Sequence, residues 1–223
     1  MKVAVSWSGG MESNLAGHKA IVQGYEVDCL ITFDFYQSPN ARNITHPFSI
    51  MTLQSEALGI PHLKMKIEEP FLQSYRKAVL QLKETRGITG IVTGDIYAVD
   101  RIHGRWMENV CDGLGVEAIM PLWGQDSLKV LDEEVSAGFR AIFTCVKLPW
   151  FNRGWLGRKL DESALVDLDV LVKEFGIDPC GENGEYHTMC IDGPIYRKKI
   201  EVPDFIKERK NNTFYIKIIG DKP

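Results

Sequence analysis

Between Val3 and Trp123 the chain alternates short apolar, β-rich runs with longer segments of helical spacing, and this alternation limits the fold more than any other feature. The β-like runs are VAV (3 to 5), CLITFDFY (29 to 36), HLKMKI (62 to 67), GIVTGD (90 to 95) and EAIMPLW (117 to 123). Helical patterns lie between them: Leu15, Ala16, Ala20 and Ile21 closed by Gly24, then TLQSEALG, PFLQSYRKAVLQLKETRG and RIHGRWMENVCDGLG. Strands that alternate with helices return by right-handed crossovers, so the expected architecture is a parallel sheet covered on both faces. After Gly124 the character changes. One helix (SLKVLDEEVSAG), a strand-like AIFTCVKL, the loop PWFNRGWLGRKL, a second helix (DESALVDLDVLVKEFG), the loop DPCGENGEYHT and an antiparallel-looking finish follow. The chain therefore reads as a doubly wound α/β domain over residues 1–124 and a smaller α+β domain over 125–223.

With 223 residues, 44% hydrophobic and 25% charged, the chain can bury a real core and is neither a disordered tail nor a stapled mini-protein. A net charge of -4 argues against extended nucleic-acid binding, which needs clustered Lys and Arg. The five cysteines are widely spaced with no C-x-x-C pair, so they read as reduced, buried thiols rather than a zinc cage or a disulfide framework. No basic leader and no apolar run of membrane-spanning length is present, and the expectation is a cytoplasmic protein without a membrane partner.

SWSGGMES joins the first strand to the first helix, where backbone N–H groups converge and can receive an anion. Ser8, Gly9 and Gly10 would let the main chain approach phosphate oxygens, and Ser13 would add a hydroxyl from the first helical turn. On spacing alone, a helix N-cap with two turn glycines explains the same residues equally well. The loop is neither G-x-G-x-x-G nor a Walker sequence. Asp34 and Asp95 fall at the carboxyl ends of strands, where open α/β sheets place ligands.

In the second half, GENGEYHT puts Glu182, Asn183, Glu185, Tyr186 and His187 in one glycine-bracketed loop. Paired carboxylates beside an imidazole can bind an amine, ligate Mg²⁺ or move a proton, although a solvated hairpin loop would read similarly. Trp150, Arg153, Trp155 and Arg158 could clamp an anionic or planar group, or simply pack an interface. The Trp- and Phe-rich loops also leave a homo-oligomer open.

SGGMES is similar to the S-G-G-x-D-S loop of the PP-loop ATP pyrophosphatases. Together with LQSEALGIP, TGD, RWMENVC, PLWG, WLGR and above all GENGEYHTMCIDGPIY, the chain resembles the diphthine-ammonia ligase family over nearly its whole length. That resemblance implies an adenine nucleotide alpha hydrolase-like, Rossmann-like sheet. It also implies a ligase that adenylates a substrate carboxylate with ATP and lets ammonia displace AMP, the acceptor being diphthine on elongation factor 2. Carried over residue by residue, it implies ATP binding by Ser8, Gly9, Gly10, Glu12, Ser13, Asp34, Gly94 and Asp95, with Mg²⁺ on Glu12. It implies catalysis by Glu182, Glu185 and His187, and substrate binding by Asn183, Tyr186, Arg105, Arg158 and His46.

Several positions depart from the family pattern. Met11 stands where Lys is usual and Glu12 where Asp is usual. A Glu12 carboxylate facing a phosphate at ~4 Å would be repelled by about 4 kcal/mol at an effective dielectric of about 20, so it should face Mg²⁺ or its own loop. Asn183 and His187 replace Gly and Glu, a version associated with amidation in cobalamin salvage, where the acceptor is a corrinoid carboxylate. A nucleotide-binding sensor without turnover is the alternative from another class.

Overall fold

The computed structural model describes residues 1–35, 48–98 and 105–220, and His46 lies outside them. Five strands form a parallel sheet: β1 (Lys2–Ser6), β2 (Glu26–Phe35), β3 (His62–Ile67), β4 (Gly90–Val92) and β5 (Glu117–Ile119), in the order β3-β2-β1-β4-β5. Every ladder is parallel, from Lys2 opposite Glu26 to Val92 opposite Ile119. Helices α1 (Met11–Val22), α3 (Phe71–Arg86) and α4 (Trp106–Cys111) supply connections, while α2 (Phe48–Leu58) precedes β3.

Val3, Ala4 and Val5 are all fully buried, as expected of a strand covered on both faces rather than one. Ala4 joins a cluster with Tyr75, Val79 and Leu82 of α3 and Met107 and Val110 of α4. Val5 points the other way, where a Cβ placed on Gly17 of α1 would meet it at 3.7 Å. The strand order runs outward from β1 through β2 to β3 and, on the other side, through β4 to β5. The direction of winding therefore reverses between β1 and β4. Loops leaving the carboxyl ends of those two strands splay apart and leave the crevice that doubly wound sheets use for ligands.

A second, antiparallel sheet has the order β7-β6-β9-β8, built from β6 (Arg140–Lys147), β7 (Tyr186–Asp192), β8 (Phe205–Lys210) and β9 (Thr213–Ile218). Helices α5 (Ser127–Ser136) and α6 (Glu162–Phe175) accompany it. Both start on aspartate caps: Asp126 accepts from the Lys129 N–H and Asp161 from the Ala164 N–H, each at 3.1 Å. Phe143 and Phe151 pack edge-on to Trp155, with centroids 5.0 Å apart in both pairs, and both also contact Tyr186.

The chain divides into two compact units. The first holds β1 to Ser8, the chain from Glu12 through β2, and Gly59–Gln125; the second holds Gly9–Met11, α2 and Asp126 onward. The chain-order reading placed 125–223 alone in the smaller domain, whereas the second unit also draws in α2 and three residues of the glycine loop. Among the described residues no helix is long and apolar enough to cross a membrane. All five cysteines are buried and none is in a disulfide. Burial pushes the thiols of Cys29, Cys111 and Cys145 up to about 11, leaving them protonated and unreactive at neutral pH.

Candidate active site

In the first unit Ser8, after β1, and the loop after β4 both reach the first turn of α1. The Ser8 hydroxyl lies 3.3 Å from that of Ser13. Ser8 is exposed and Ser13 buried, so the pair links the loop to the first helical turn. Thr-Gly-Asp packs directly beside them: a Cβ on Gly94 would sit 2.7 Å from the carbonyl carbon of Glu12 and 2.9 Å from the Ser13 nitrogen. Backbone against backbone is possible there only with glycine, so Gly94 sets how closely the β4 loop approaches the helix N-terminus. That role is structural and stands beside the nucleotide contact implied by resemblance.

Thr93, part of the TGD motif but given no role in the sequence reading, donates its hydroxyl to Asp95 at 2.8 Å. Desolvation raises the Asp95 pKa above the ordinary carboxylate value, and the Thr93 hydrogen bond opposes it. Asp34, at the end of β2, makes a 3.5 Å ion pair with Lys64. Both partners are substantially exposed, so the pair adds little stability and leaves the carboxylate accessible. Glu12 sits in the first turn of α1, where a carboxylate is favoured by the helix dipole. Arg105 is held by Glu108 at 2.7 Å and lies 5.4 Å from the Trp123 ring centre.

The middle of the glycine loop belongs to the second unit. Met11 is 1% exposed, with its sulfur 3.3 Å from the Cys190 thiol. A lysine there would have to leave its ammonium in the core or find another path out, so the lost cation is exchanged for apolar packing. Gly9 has φ of +82°, and its carbonyl accepts from the Cys190 N–H at 3.0 Å and from the Gln54 amide at 2.9 Å.

The GENGEYHT segment is organised by an aspartate just ahead of it. Asp178 Oδ1 accepts from the N–H groups of Cys180 at 2.8 Å and Glu182 at 3.2 Å, and its Oδ2 accepts from the Ser127 hydroxyl at 3.0 Å. The Asp178 N–H in turn donates to Glu185 Oε1 at 3.0 Å, and the Asn183 amide reaches the same oxygen at 3.4 Å. Glu185 is 3% exposed, and its other oxygen, Oε2, is buried with no hydrogen-bond partner among the described residues. Leaving such a lone pair unsatisfied costs about 1–3 kcal/mol or more for a charged group, so the site is primed for a donor.

Tyr186 is buried among the aromatics and donates its hydroxyl to the Pro179 carbonyl. His187 is half-buried on β7; desolvation first, and the Lys147 charge second, lower its pKa to about 4. The imidazole is therefore neutral at pH 7 and accepts protons weakly. Lys147 is a cation the sequence reading missed: its Nζ lies 3.4 Å from where a Gly184 Cβ would be, and its N–H donates to the Glu185 carbonyl at 2.9 Å. Glu182 is half-buried and Asn183 exposed in the same turn. Arg158 stands apart from this group, paired with Asp167 at 2.7 Å and stacked 4.5 Å over Trp155.

Two family models match the chain, the diphthamide synthase N-terminal domain over residues 1–118 and the diphthamide synthase C-terminal domain over 126–221. The chain belongs to the diphthamide synthase family. Among similar curated proteins, the diphthine-ammonia ligase of Schizosaccharomyces pombe is 35% identical over 122 residues, covering 52% of this chain and 20% of that protein. The diphthine-ammonia ligase of Mus musculus is 27% identical over 226 residues, covering 91% of this chain and 83% of that protein. The human protein of the same name is 26% identical with the same coverage. The chain thus spans a fifth of the fission-yeast relative and most of the mammalian ones. A solved structure described as a predicted subunit of tRNA methyltransferase from Methanocaldococcus jannaschii covers 90% of this chain and 100% of its own, at TM-score 0.48 and 18% identity.

Within the first unit, Thr-Gly-Asp packs on the start of α1 at Glu12 and Ser13, at the switch point of the sheet, while Glu182, Asn183, Glu185 and His187 share one turn of the second unit. Thr93, Asp178 and Lys147 join these groups. Their only sequence signals are the Asx-turn pattern Asp-Pro-Cys-Gly for Asp178 and the dipeptide spacing to Asp95 for Thr93.

Proposed function

We propose that this chain is an ATP-dependent, amide-forming ligase of the diphthine-ammonia type, acting on a carboxylate acceptor. The observation that carries the reading is the match of both diphthamide synthase domain models, together covering 1–118 and 126–221. In this reading Ser8, Gly9, Gly10 and Ser13 receive the phosphates of ATP, with Gly94 and Asp95 closing the same end of the sheet. A helix N-terminus and a glycine turn supply aligned N–H donors without needing the lysine that Met11 replaces. The oxygen donors present, a Glu12 carboxylate and two serine hydroxyls, suit a hard cation, and Glu12 would hold Mg²⁺. Bound there with the nucleotide, Mg²⁺ offsets negative charge on the phosphates.

The acceptor carboxylate attacks the α phosphorus, the bond to the bridging oxygen breaks, and pyrophosphate leaves. Carboxylate is a poor electrophile because oxide would have to leave; adenylation supplies AMP as a leaving group. Ammonia then adds to the acyl carbon and AMP departs. Only unprotonated ammonia is nucleophilic. Glu185 is the proposed site for ammonium: its orphan Oε2 would gain the donor it lacks, and the carboxylate would take the proton as the amine attacks. His187, neutral at working pH, would orient ammonia rather than deprotonate it. Asn183, Tyr186 and Glu182 shape the turn around them, Lys147 offers a cation to an acceptor carboxylate or adenylate, and Arg105, Arg158 and His46 remain proposed acceptor contacts.

Diphthine on elongation factor 2 is the proposed acceptor. Asn183 and His187 favour a second reading, amidation of a corrinoid carboxylate. The deciding experiment follows AMP and pyrophosphate from ATP, Mg²⁺ and ammonium with each acceptor in turn. AMP release that depends on diphthine-bearing elongation factor 2 is expected; dependence on the corrinoid instead selects the second reading. ADP as product overturns adenylation. ATP bound with no turnover on either acceptor moves the reading to a nucleotide sensor.

A further inference from the structure

The glycine loop is held by a side chain that none of the roles above uses. Gln54 of α2 is fully buried, an unusual place for a carboxamide unless both ends of it are engaged. Its Nε2 donates to the Gly9 carbonyl at 2.9 Å and to the Cys190 carbonyl of β7 at 2.8 Å. Its Oε1 lies 2.7 Å from where a Cβ on Gly9 would be, so glycine is required at position 9 by contact as well as by its φ of +82°. The Cys190 N–H closes the arrangement by donating to the same Gly9 carbonyl at 3.0 Å.

Two donors thus fix the direction of one carbonyl. The Gly9 to Gly10 peptide is trans, and in a planar trans peptide the carbonyl of one residue and the N–H of the next point to opposite sides. With the Gly9 carbonyl turned toward α2 and β7, the Gly10 N–H is aimed away from them. Glycine has no side chain to hold its own peptide plane, so without the clamp this peptide could flip at little cost. Resting on the nucleotide-binding reading above, we propose that Gln54 is a positioning residue for the phosphate loop: its buried carboxamide sets the orientation of the Gly9 to Gly10 peptide in the loop that receives the ATP phosphates.

The test compares equilibrium ATP binding, with Mg²⁺, by the full chain and by Gln54→Met, which keeps length and volume but removes the carboxamide N–H groups and leaves the Cys190 N–H donating to the Gly9 carbonyl. A control, Leu168→Ala, empties a fully buried position on α6 and lowers stability without touching the loop. The expected result is ATP affinity at least tenfold weaker in Gln54→Met and unchanged in Leu168→Ala. A second measurement needs no variant: on adding ATP to the unaltered protein, the Gly10 amide resonance should shift as strongly as any in the loop. Equal ATP affinity in Gln54→Met and the parent, or a Gly10 resonance that stays still while ATP is bound, overturns the positioning role alone. Weakening in Leu168→Ala in proportion to its lost stability also overturns it, since Gln54 would then act only through folding. If the unaltered protein binds no ATP, the nucleotide-binding reading fails and this inference fails with it.

Discussion

The two regions rich in candidate residues are built by opposite means. At the end of the first sheet, geometry comes from backbone: glycines, a helix N-terminus, and a Gly94 contact so close that no side chain fits. In the Asp178 to His187 turn, geometry comes from carboxylates: Asp178 gathers three donors, Glu185 accepts from two, and a neutral His187 and Lys147 complete the group. Backbone donors suit a ligand recognised by its phosphates, whatever else it carries. Buried carboxylates suit a reaction that must manage one proton.

The contrast is broken most directly at Glu185. Glu185→Gln keeps an oxygen for the Asp178 N–H but removes the base, and amide formation should fall by about 10² to 10⁴-fold with ATP affinity unchanged. AMP and amide assays beside ATP titration check this, and full amide synthesis in the variant would remove Glu185 from the chemistry. Next in size is Gly94→Ala, whose Cβ would stand 2.7 to 2.9 Å from backbone atoms of Glu12 and Ser13. It should cost about 1–3 kcal/mol in urea unfolding and weaken ATP binding together, because one displacement causes both. Loss of stability with ATP affinity intact would mean the loop end is not the phosphate site.

Acid separates the two regions by pH window. The folded pKa of His187 is lowered to about 4 from an ordinary 6.5, so the unfolded chain takes up its proton first and stability falls as pH drops between those values, by up to about 3 kcal/mol. Asp28 in the first unit acts lower. Burial pushes its pKa up, but hydrogen bonds from Lys2 and Arg86 outweigh that and hold it below 3.8, so its stabilisation is lost only as pH falls below that value. Urea titrations between pH 7 and 4 should therefore show a slope that His187→Gln removes and Asp28→Asn does not. The smallest effect belongs to Arg158. Its ion pair with half-exposed Asp167 and its stacking on Trp155 suggest a loss of about 1 kcal/mol in Arg158→Ala. A much larger loss in amide synthesis than in stability would instead make it an acceptor contact.

The parallel sheet was readable because its central strands β1 and β4 are buried on both faces and so appear as unbroken apolar runs between helical periods. Val3 to Val5 show this at full burial. Helix starts at Asp126 and Asp161 were readable because capping is local chemistry. Met11 was not. In the sequence it was only a departure, a Met where Lys is usual, whereas its side chain packs on Cys190, 179 residues away. Gln54, Asp178 and Lys147 escaped notice for a related reason: each acts through hydrogen bonds or charge on residues whose proximity depends on the fold.

From its sequence alone this chain carries the alternation that forces a doubly wound sheet, the glycine loop at its first turn, and the cluster of ionisable groups in GENGEYHT. These are properties of neighbours along the chain. Tertiary structure decided which Glu185 oxygen is satisfied and which is orphaned, that His187 is neutral, that Gly94 must be glycine, and which way the Gly9 carbonyl turns. Those outcomes depend on desolvation and on hydrogen-bond partners up to 181 positions apart, from Gly9 to Cys190, and neither quantity exists until the chain has folded.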